Sequence, residues 1–124
     1  MIIIDSSLWV EYFLENDIDK AIVDAIKNTR SRCVPSICLY EVHKKFLSMG
    51  NAGKADLAVD IMQNATVVNV TSQIAIQAAR LGRELKLPMA DSIIYATAQI
   101  YNADIYTQDS HFEGLDGVYC FAKP

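Results

Sequence analysis

The segment from Met89 to Ala98 constrains the fold more than any other part of the sequence. It follows Pro88, a residue at which one helix ends and another can begin. A helix that is apolar nearly all round is buried, so we expect this segment to form a helix inside the protein. Its apolar side chains lie on two opposite sides of a helical wheel: Ile93, Ala96 and Ile100 on one, and Ile94, Tyr95 and Ala98 on the other.

Asp91 lies in the first turn of this apolar helix and needs compensation. Burial of an unpaired carboxylate costs roughly several kcal/mol of free energy unless the group becomes protonated. The dipole at an exposed helix start contributes only about 0.3–1 kcal/mol. We therefore expect a cation, a metal ion or the helix N-terminus to lie close to Asp91, and we look for its partners elsewhere in the chain.

Length and composition are typical of an ordinary globular protein. The 124 residues are 52% hydrophobic and 21% charged, so we expect one domain over residues 1–124 with a substantial core. No apolar run approaches the roughly 20 residues of a membrane span. The segment Met1–Asp5 lacks the basic region and the apolar length of a signal peptide. We therefore expect a cytoplasmic protein.

The charge balance argues against a broad nucleic-acid-binding surface. With 11 basic and 15 acidic residues the net charge is −4, whereas such surfaces are usually basic. If four carboxylates were clustered around bound cations, however, the remaining balance would be near neutral. Acidity therefore remains compatible with a small catalytic site for nucleic acid.

The cysteines and histidines do not predict a zinc site. Cys33, Cys38 and Cys120 form no Cys-x-x-Cys pair, so we expect reduced, buried thiols. His43 and His111 lack the i, i+4 spacing of a histidine metal site. We expect them to be surface residues or residues that support other groups.

Short apolar runs alternate with helical patterns along the whole chain. The strand candidates are segments 1–4, 32–35, 66–70, 104–107 and 117–121, and residues 109–112 suit a short turn or helix. This alternation indicates an α/β domain with a mostly parallel sheet. In such a sheet the active cleft lies at the carboxyl ends of the strands. The apolar stripes between the strands are Leu8/Trp9/Tyr12/Phe13, Ile18/Ala21/Ile22/Ala25/Ile26, Leu57/Ala58/Ile61/Met62 and Ile74/Ala78/Leu81/Leu85.

Capping residues predict where two of the helices begin. Asp5 is expected to cap the first helix, and Ser36 to cap the helix that ends at Gly50. The side chains expected to face inward from that second helix are Leu39, Val42, Phe46 and Met49.

Four acidic residues map to the carboxyl ends of the predicted strands. They are Asp5, Glu41, Asp91 and Asp109. Each has a simpler interpretation when taken alone: Asp5 and Asp109 as helix caps, and Glu41 as the partner of Lys45 on a solvated helix face. Four carboxylates on one rim cannot all stay ionised without counter-charge. Oxygen-only ligands favour Mg²⁺ or Mn²⁺, and such ions suit hydrolysis of a phosphodiester.

The order and spacing of these residues resemble the PIN-domain nucleases. The matching motifs are Ile3-Ile4-Asp5-Ser6-Ser7, Pro35-Ser36-x-x-x-x-Glu41, Ala90-Asp91-Ser92-Ile93-Ile94-x-Ala96-x-Ala98 and Thr107-x-Asp109-x-x-Phe112. The resemblance extends across essentially the whole chain and is strongest to the VapC-type toxins of toxin–antitoxin modules. Each motif is weak alone, and the ordered set of four is specific.

The resemblance implies a Rossmann-like, three-layer PIN fold with strand order 3-2-1-4-5. It also implies an Mg²⁺- or Mn²⁺-dependent endoribonuclease that cuts transfer or ribosomal RNA. The implied metal ligands are Asp5, Glu41, Asp91 and Asp109, with Ser6 and Thr107 as supporting hydroxyls. The implied partners are a second copy of the chain, in a homodimer, and a cognate antitoxin. Apolar side chains in the early helices are compatible with such a partner surface.

Several charged residues have no assigned role at this level. Glu113 lies near Asp109, and Lys44 and Lys45 follow Glu41 by one turn; we consider that one of these lysines approaches substrate phosphate. Arg80 and Arg83 share a helix face, where Arg80 could instead pair with Glu84.

Two alternative functions remain at this level. The first is a receiver-like, Mg²⁺-binding phospho-acceptor domain, which has similar length and an acidic cluster. That class requires paired acids after the first strand and a lysine near the end of a late strand, and neither is present here. The second alternative is a catalytically silent PIN interaction module, which the presence of all four acids does not favour.

Overall fold

The computed structural model describes residues 1–124 as strands and helices that alternate along the chain. The strands are β1 (Ile2–Ile4), β2 (Arg32–Pro35), β3 (Thr66–Val68), β4 (Asp104–Thr107) and β5 (Val118–Cys120). The helices are α1 (Ser6–Phe13), α2 (Lys20–Lys27), α3 (Ser36–Ser48), α4 (Ala52–Met62), α5 (Ser72–Leu85) and α6 (Met89–Tyr101). A single 3₁₀ turn, Ser110–Phe112, lies between β4 and β5.

The strands form one five-stranded sheet in the order β3-β2-β1-β4-β5, and every neighbouring pair is parallel. The predicted three-layer α/β fold and the strand order 3-2-1-4-5 are therefore confirmed. Strand β1 is central, with Ile3 opposite Cys33 of β2 on one side and Ile105 of β4 on the other. Ile3 and Ile4 are buried, as expected for a strand covered on both faces.

Helix α6 is buried along its middle, as its sequence predicts. Ile94 and Ala96 are fully buried, whereas Met89 at its start is 74% exposed. Helix α5 packs against α6 at a point where Gly82 faces the Ser92 side chain. A Cβ atom on Gly82 would lie 3.4 Å from Ser92 Cβ, so the two helices approach closely there.

Arg32 is buried in β2 without a carboxylate partner. Its Nη1 donates to the Ile26 carbonyl at 2.6 Å, and its Nη2 donates to the carbonyls of Ile61 at 3.0 Å and Met62 at 3.4 Å. These carbonyls lie at the C-terminal ends of α2 and α4, where helices carry unpaired acceptors and partial negative charge. The guanidinium also lies 5.1 Å from the centroid of the Trp9 ring. Arg32 therefore joins two helix ends to the sheet.

The start of α3 differs from its prediction. Pro35 occupies the cap position and Ser36 is already helical, because β2 continues directly into α3. The Ser36 hydroxyl instead accepts a hydrogen bond from the Val70 N–H at 3.2 Å. Ser36 therefore links α3 to the segment after β3 and caps no helix.

Three side chains predicted to face inward are exposed, and one of them, Leu57 on α4, is 55% exposed. The buried face of α3 consists of Cys38, Val42 and Phe46, whereas Met49 follows the last helical residue and is 51% exposed. Cys120 lies on β5, an edge strand with one neighbour, and is also exposed, unlike the buried thiols Cys33 and Cys38. None of the helices combines the length and the apolar character that crossing a membrane requires.

Candidate active site

The four predicted acids lie at the carboxyl end of the sheet. The chain leaves β1 toward β2 on one side and returns to it as β4 on the other, so the strand order reverses between β1 and β4. Ligand crevices of open α/β sheets form at such reversal points. Asp5 directly follows β1, and Asp109 follows β4 by two residues. Glu41 lies in the second turn of α3, and Asp91 in the first turn of α6.

Asp5 is the most firmly held of the four acids. Its Oδ1 accepts from the Ser6 N–H at 2.8 Å, and its Oδ2 accepts from the hydroxyls of Thr107 at 2.7 Å and Ser7 at 3.0 Å. Only 4% of Asp5 is exposed, and this burial raises its pKa despite the three hydrogen bonds. A carboxylate has about four acceptor positions, so Asp5 both caps α1 and keeps room for a further ligand.

Glu41 is joined to the same site through Ser6. The Ser6 hydroxyl donates to Glu41 Oε1 at 2.7 Å. Burial raises the pKa of Glu41, and the charges of Asp5 and Asp109 raise it further. Lys45, one turn along α3, forms no ion pair with Glu41. The interpretation of Glu41 as half of a solvated helix pair is therefore wrong.

Asp91 and Asp109 form the closest pair of acids. Their carboxylate oxygens and a ring nitrogen of His111 all lie within 4.8 Å of one another. Burial, followed by the charges of Asp109 and Asp5 and a hydrogen bond with Asp109, raises the pKa of Asp91 from 3.8 to about 7. A neighbouring carboxylate disfavours the ionised form of Asp91 when no cation is present.

His111 is the site residue that the sequence analysis set aside. Its Nδ1 lies 2.8 Å from Asp109 Oδ1 and 3.3 Å from Asp91 Oδ2. Asp109 caps the 3₁₀ turn by accepting from the His111 N–H at 2.9 Å, and this turn brings the ring back over the acids. The sequence signal that could have identified it is the Asp109-x-His111 spacing. It was missed because the sequence was searched for paired histidines, and His111 is a single histidine beside two carboxylates.

The structure brings the four predicted acids to one rim, but some of them lie closer together than others. Asp91 and Asp109 form the tight group with His111, and Asp5 connects to Asp109 because the Thr107 hydroxyl accepts from the Asp109 N–H at 2.9 Å. Glu41 joins them through the Ser6 hydroxyl. Glu113 is exposed and outside this group. Arg80 is exposed on α5 and forms no ion pair with Glu84.

The donor set fits a hard divalent cation. No lysine or arginine lies within 4.0 Å of any of the four acids, and the ring of His111 is their one ionisable basic neighbour within that distance. Clustered carboxylate oxygens are the ligands that Mg²⁺ and Mn²⁺ prefer. The raised pKa values of Asp5, Glu41 and Asp91 are what such a cluster shows without its counter-charge.

Three polar cavities join into one groove across the rim. The central cavity, of about 330 Å³, is lined by Ser6, Glu41 and Lys45 among others. It shares Ser7 and Gln108 with a cavity of about 510 Å³ that contains Asp109, His111 and Lys123. On the other side it shares Glu41 and Lys45 with a cavity of about 250 Å³ on α3. We call this continuous surface the rim groove.

A three-layer α/β fold with an acidic rim at the β1/β4 reversal point defines a narrow class of proteins. A PIN domain family model matches residues 2–118. The chain belongs to the PIN domain family, and the predicted family membership is confirmed. A receiver-like domain would have strand order 2-1-3-4-5, so the observed order contradicts that alternative.

Solved structures of low sequence identity share the fold. A toxin–antitoxin complex from Klebsiella pneumoniae matches with a TM-score of 0.79 and 21% identity, over 99% of this chain and 100% of that chain. DNA-bound VapBC from Salmonella typhimurium gives 0.76 and 18%, over 98% and 96%. VapC20 from Mycobacterium tuberculosis, a sarcin–ricin loop cleaving toxin, gives 0.76 and 18%, over 95% and 97%. A search of curated proteins gives no match.

Proposed function

We propose that the protein is a metal-dependent endoribonuclease that acts as the toxin of a toxin–antitoxin module. The observation that carries this proposal is the group of acids at the rim, Asp5 and Asp91 buried and Glu41 half-buried, which have raised pKa values and no lysine or arginine partner. Buried carboxylates without a counter-charge destabilise a fold, and they are found mainly at functional sites.

Asp5, Glu41, Asp91 and Asp109 are the residues proposed to hold the ion, which we propose to be Mg²⁺ or Mn²⁺. When bound, such an ion polarises a phosphoryl oxygen and lowers the pKa of water. The proposal is supported by their common rim and by their mutual electrostatic influence. It is also supported by family membership, since the four positions match the motifs of the PIN-domain nucleases.

The hydroxyl residues and His111 are proposed to position these acids. Thr107 and Ser7 donate to the same oxygen of Asp5, and Ser6 orients Glu41. His111 Nδ1 lies within hydrogen-bond reach of the carboxylates of both Asp91 and Asp109, and this contact orients the two side chains toward one another. The acids are therefore held in place before substrate arrives, so little reorganisation accompanies the reaction.

RNA is the proposed substrate, with transfer or ribosomal RNA as the proposed target. One structural relative is described as a toxin that cleaves the sarcin–ricin loop, which supports the assignment. Within the rim groove, Lys45 lines the same cavity as Glu41, and Lys123 lines the same cavity as Asp109. Because the chain as a whole is acidic, these lysines provide local attraction for phosphates, and Lys45 is the first candidate for phosphate contact.

Residues 1–124 are proposed to act as one PIN-like domain. Its proposed partners are an antitoxin protein and a second copy of the chain. Several structural relatives are toxin–antitoxin complexes. A largely apolar cleft of about 440 Å³ between α1, α2 and α4 offers a docking surface, and it is lined by Tyr12, Phe13, Ile18 and Leu57 among others. Such exposed apolar clefts commonly mark partner sites.

Asp91→Asn tests the proposed function most directly. This change keeps the shape of the side chain but removes one anionic ligand, so Mg²⁺-dependent cleavage of RNA should be abolished while the circular dichroism spectrum is unchanged. Asp60→Asn is the matched control, because Asp60 is an exposed aspartate on α4, an element that carries none of the four acids. Mg²⁺ binding, measured by calorimetry, should weaken in the first variant only.

Cleavage by Asp91→Asn at the rate of the unsubstituted protein would contradict the metal assignment. Cleavage that survives exhaustive treatment with EDTA would contradict metal dependence. If the unsubstituted protein bound its antitoxin yet cleaved no RNA with either Mg²⁺ or Mn²⁺, the catalytically silent PIN module would be the better description.

A further inference from the structure

The outer face of α3 presents a tyrosine and two lysines beside the acidic site. Tyr40, Lys44 and Ser48 follow one another at i, i+4 and i+8, and Glu41 and Lys45 form the adjacent row. Tyr40 is 57% exposed, and Lys44 Nζ lies 5.5 Å from the centroid of its ring. All five residues line the cavity of about 250 Å³ at the end of the rim groove.

This face is continuous with the proposed reaction centre. Glu41 and Lys45 line both the α3 cavity and the central cavity that reaches Ser6. Tyr40 lines the α3 cavity at one end of the rim groove, and the other cavities of the groove are lined by Glu41 and Asp109. A chain that crosses the acids along this groove would pass Lys45 before it reached Tyr40.

Packing does not account for Tyr40. Its ring extends into solvent on a helix whose buried face consists of Cys38, Val42 and Phe46. The group that covers part of the ring is Lys44, whose ammonium lies over its face, an interaction that is weak at an exposed site. An exposed aromatic ring flanked by two lysines is the arrangement that proteins use to bind unpaired nucleotides.

We propose that Tyr40 is a nucleobase-binding residue: an unpaired base of the RNA stacks on its ring, while Lys44 and Lys45 bind the adjoining phosphates. The proposal rests on the proposed ribonuclease function and adds a substrate-positioning site to it. A base within a duplex is already stacked on its neighbours, so the site requires a single-stranded or looped segment. Every base has a π face, so the site selects for an unpaired base with little dependence on its identity.

Binding of a fluorescein-labelled oligoadenylate of about twelve nucleotides tests this proposal. The measurement is fluorescence anisotropy with Mg²⁺, in proteins that also carry Asp91→Asn so that the RNA stays intact. Tyr40→Ala should weaken binding by about tenfold, whereas Tyr40→Phe should retain it. Tyr101→Ala is the matched control, because Tyr101 is 42% exposed at the opposite end of α6 from Asp91.

Two further readouts separate stacking from a general structural effect. An oligonucleotide of the same length with abasic sites in place of adenosines should bind the Tyr40→Ala and unsubstituted proteins equally, because it has no base to stack. Lys45→Ala should reduce the slope of log K against log salt by about one, since one phosphate contact is lost. Tyr40→Ala should leave that slope unchanged.

The results separate failure of this site from failure of the proposed function. If Tyr40→Ala binds oligoadenylate like the Tyr101→Ala control, or loses the same affinity for the abasic oligonucleotide, the stacking site is wrong while RNA cleavage by the unsubstituted protein still stands. Binding of a blunt duplex as tightly as the single strand would also overturn it. If no variant binds RNA and the unsubstituted protein cleaves none, the ribonuclease function fails, and this proposal fails with it.

Discussion

The Thr107 hydroxyl donates to Asp5 Oδ2 across 2.7 Å, although the two residues are separated by 102 positions in the chain. The same hydroxyl accepts from the Asp109 N–H at 2.9 Å. One buried side chain at the end of β4 therefore sets the position of an acid that follows β1 and of the backbone that carries another. The spacing of the two acids depends on this hydroxyl as much as on the parallel pairing of the strands.

Thr107→Val should lower Mg²⁺-dependent cleavage by about tenfold or more, because the supporting bond to Asp5 is lost while the side-chain volume is kept. It should also reduce the free energy of unfolding by about 1–3 kcal/mol, since the Asp109 N–H loses its acceptor. The measurements are RNA cleavage and urea denaturation. Thr107→Ser should restore most of the activity.

Thr97→Val is the control for that substitution. Thr97 is also buried, but its hydroxyl donates only to the Ile93 carbonyl of its own helix, at 2.7 Å. Its removal should leave cleavage unchanged. Equal activity in Thr107→Val and Thr97→Val would show that Thr107 does not position Asp5.

Much of the fold follows from local patterns in the sequence. Short apolar runs predicted five strands, and the apolar segment after Pro88 predicted a buried helix, because both depend on which side chains must leave water. The order of the strands came from the family resemblance and not from these patterns. Met49 was misassigned, since a helical stripe does not reveal where the helix ends, and the helix ends one residue before it.

The free energy of unfolding of the metal-free protein should depend on pH because three of the rim acids have raised pKa values. Because the fold raises the pKa of Asp91 from 3.8 to about 7, the folded protein holds a proton between these values that the unfolded chain has released. Unfolding therefore releases a proton, and the free energy of unfolding should fall as pH rises across this range, by at most about 1.4 kcal/mol per pH unit for each proton. Above about pH 7 the contribution of Asp91 is constant.

Urea denaturation in EDTA at several pH values measures this dependence. Asp91→Asn should reduce the slope, because its amide does not titrate, and what remains should come from Asp5 and Glu41, whose pKa values are also raised. A free energy of unfolding that increases with pH over the same range would contradict the assigned direction.

Arg32→Met should destabilise the protein by about 3 kcal/mol, because the carbonyls at the ends of α2 and α4 lose their donors while the aliphatic volume is kept. Urea denaturation provides the measurement. Lys20→Met is the control: Lys20 pairs with Asp24 on an exposed face, at 2.8 Å, and such exposed pairs contribute little to stability. Similar stability in the two variants would mean that Arg32 contributes little to holding the helix ends.

Gly82→Ala should stabilise the protein by about 0.5–1 kcal/mol. Alanine favours the helix over glycine, and the new Cβ would meet Ser92 at 3.4 Å, an ordinary contact distance. Gly82→Leu should instead force α5 away from α6 and disturb Asp91, which is adjacent to Ser92. Thermal unfolding and RNA cleavage distinguish the outcomes, and a lower melting temperature for Gly82→Ala would show that the helices cannot accept even a methyl group.

The sequence predicted the acidic residues of the candidate site but not the residues around them. Strand ends and helix starts identify Asp5, Asp91 and Asp109, because the topology of a parallel sheet brings these positions to one edge. His111 was set aside because its position depends on a 3₁₀ turn that Asp109 itself caps. Tyr40 also required the structure, since only the rotation of α3 decides whether a helical tyrosine is buried or faces the groove.

The central position of β1 has a consequence for biosynthesis. This strand is synthesised before the other strands, but its neighbour β4 and the acid at position 109 follow only after all six helices. A growing chain therefore carries three of the four acids on an incomplete sheet, with neither Thr107 nor Asp109 to hold them together. The proposed metal site can therefore assemble only after synthesis has passed position 109.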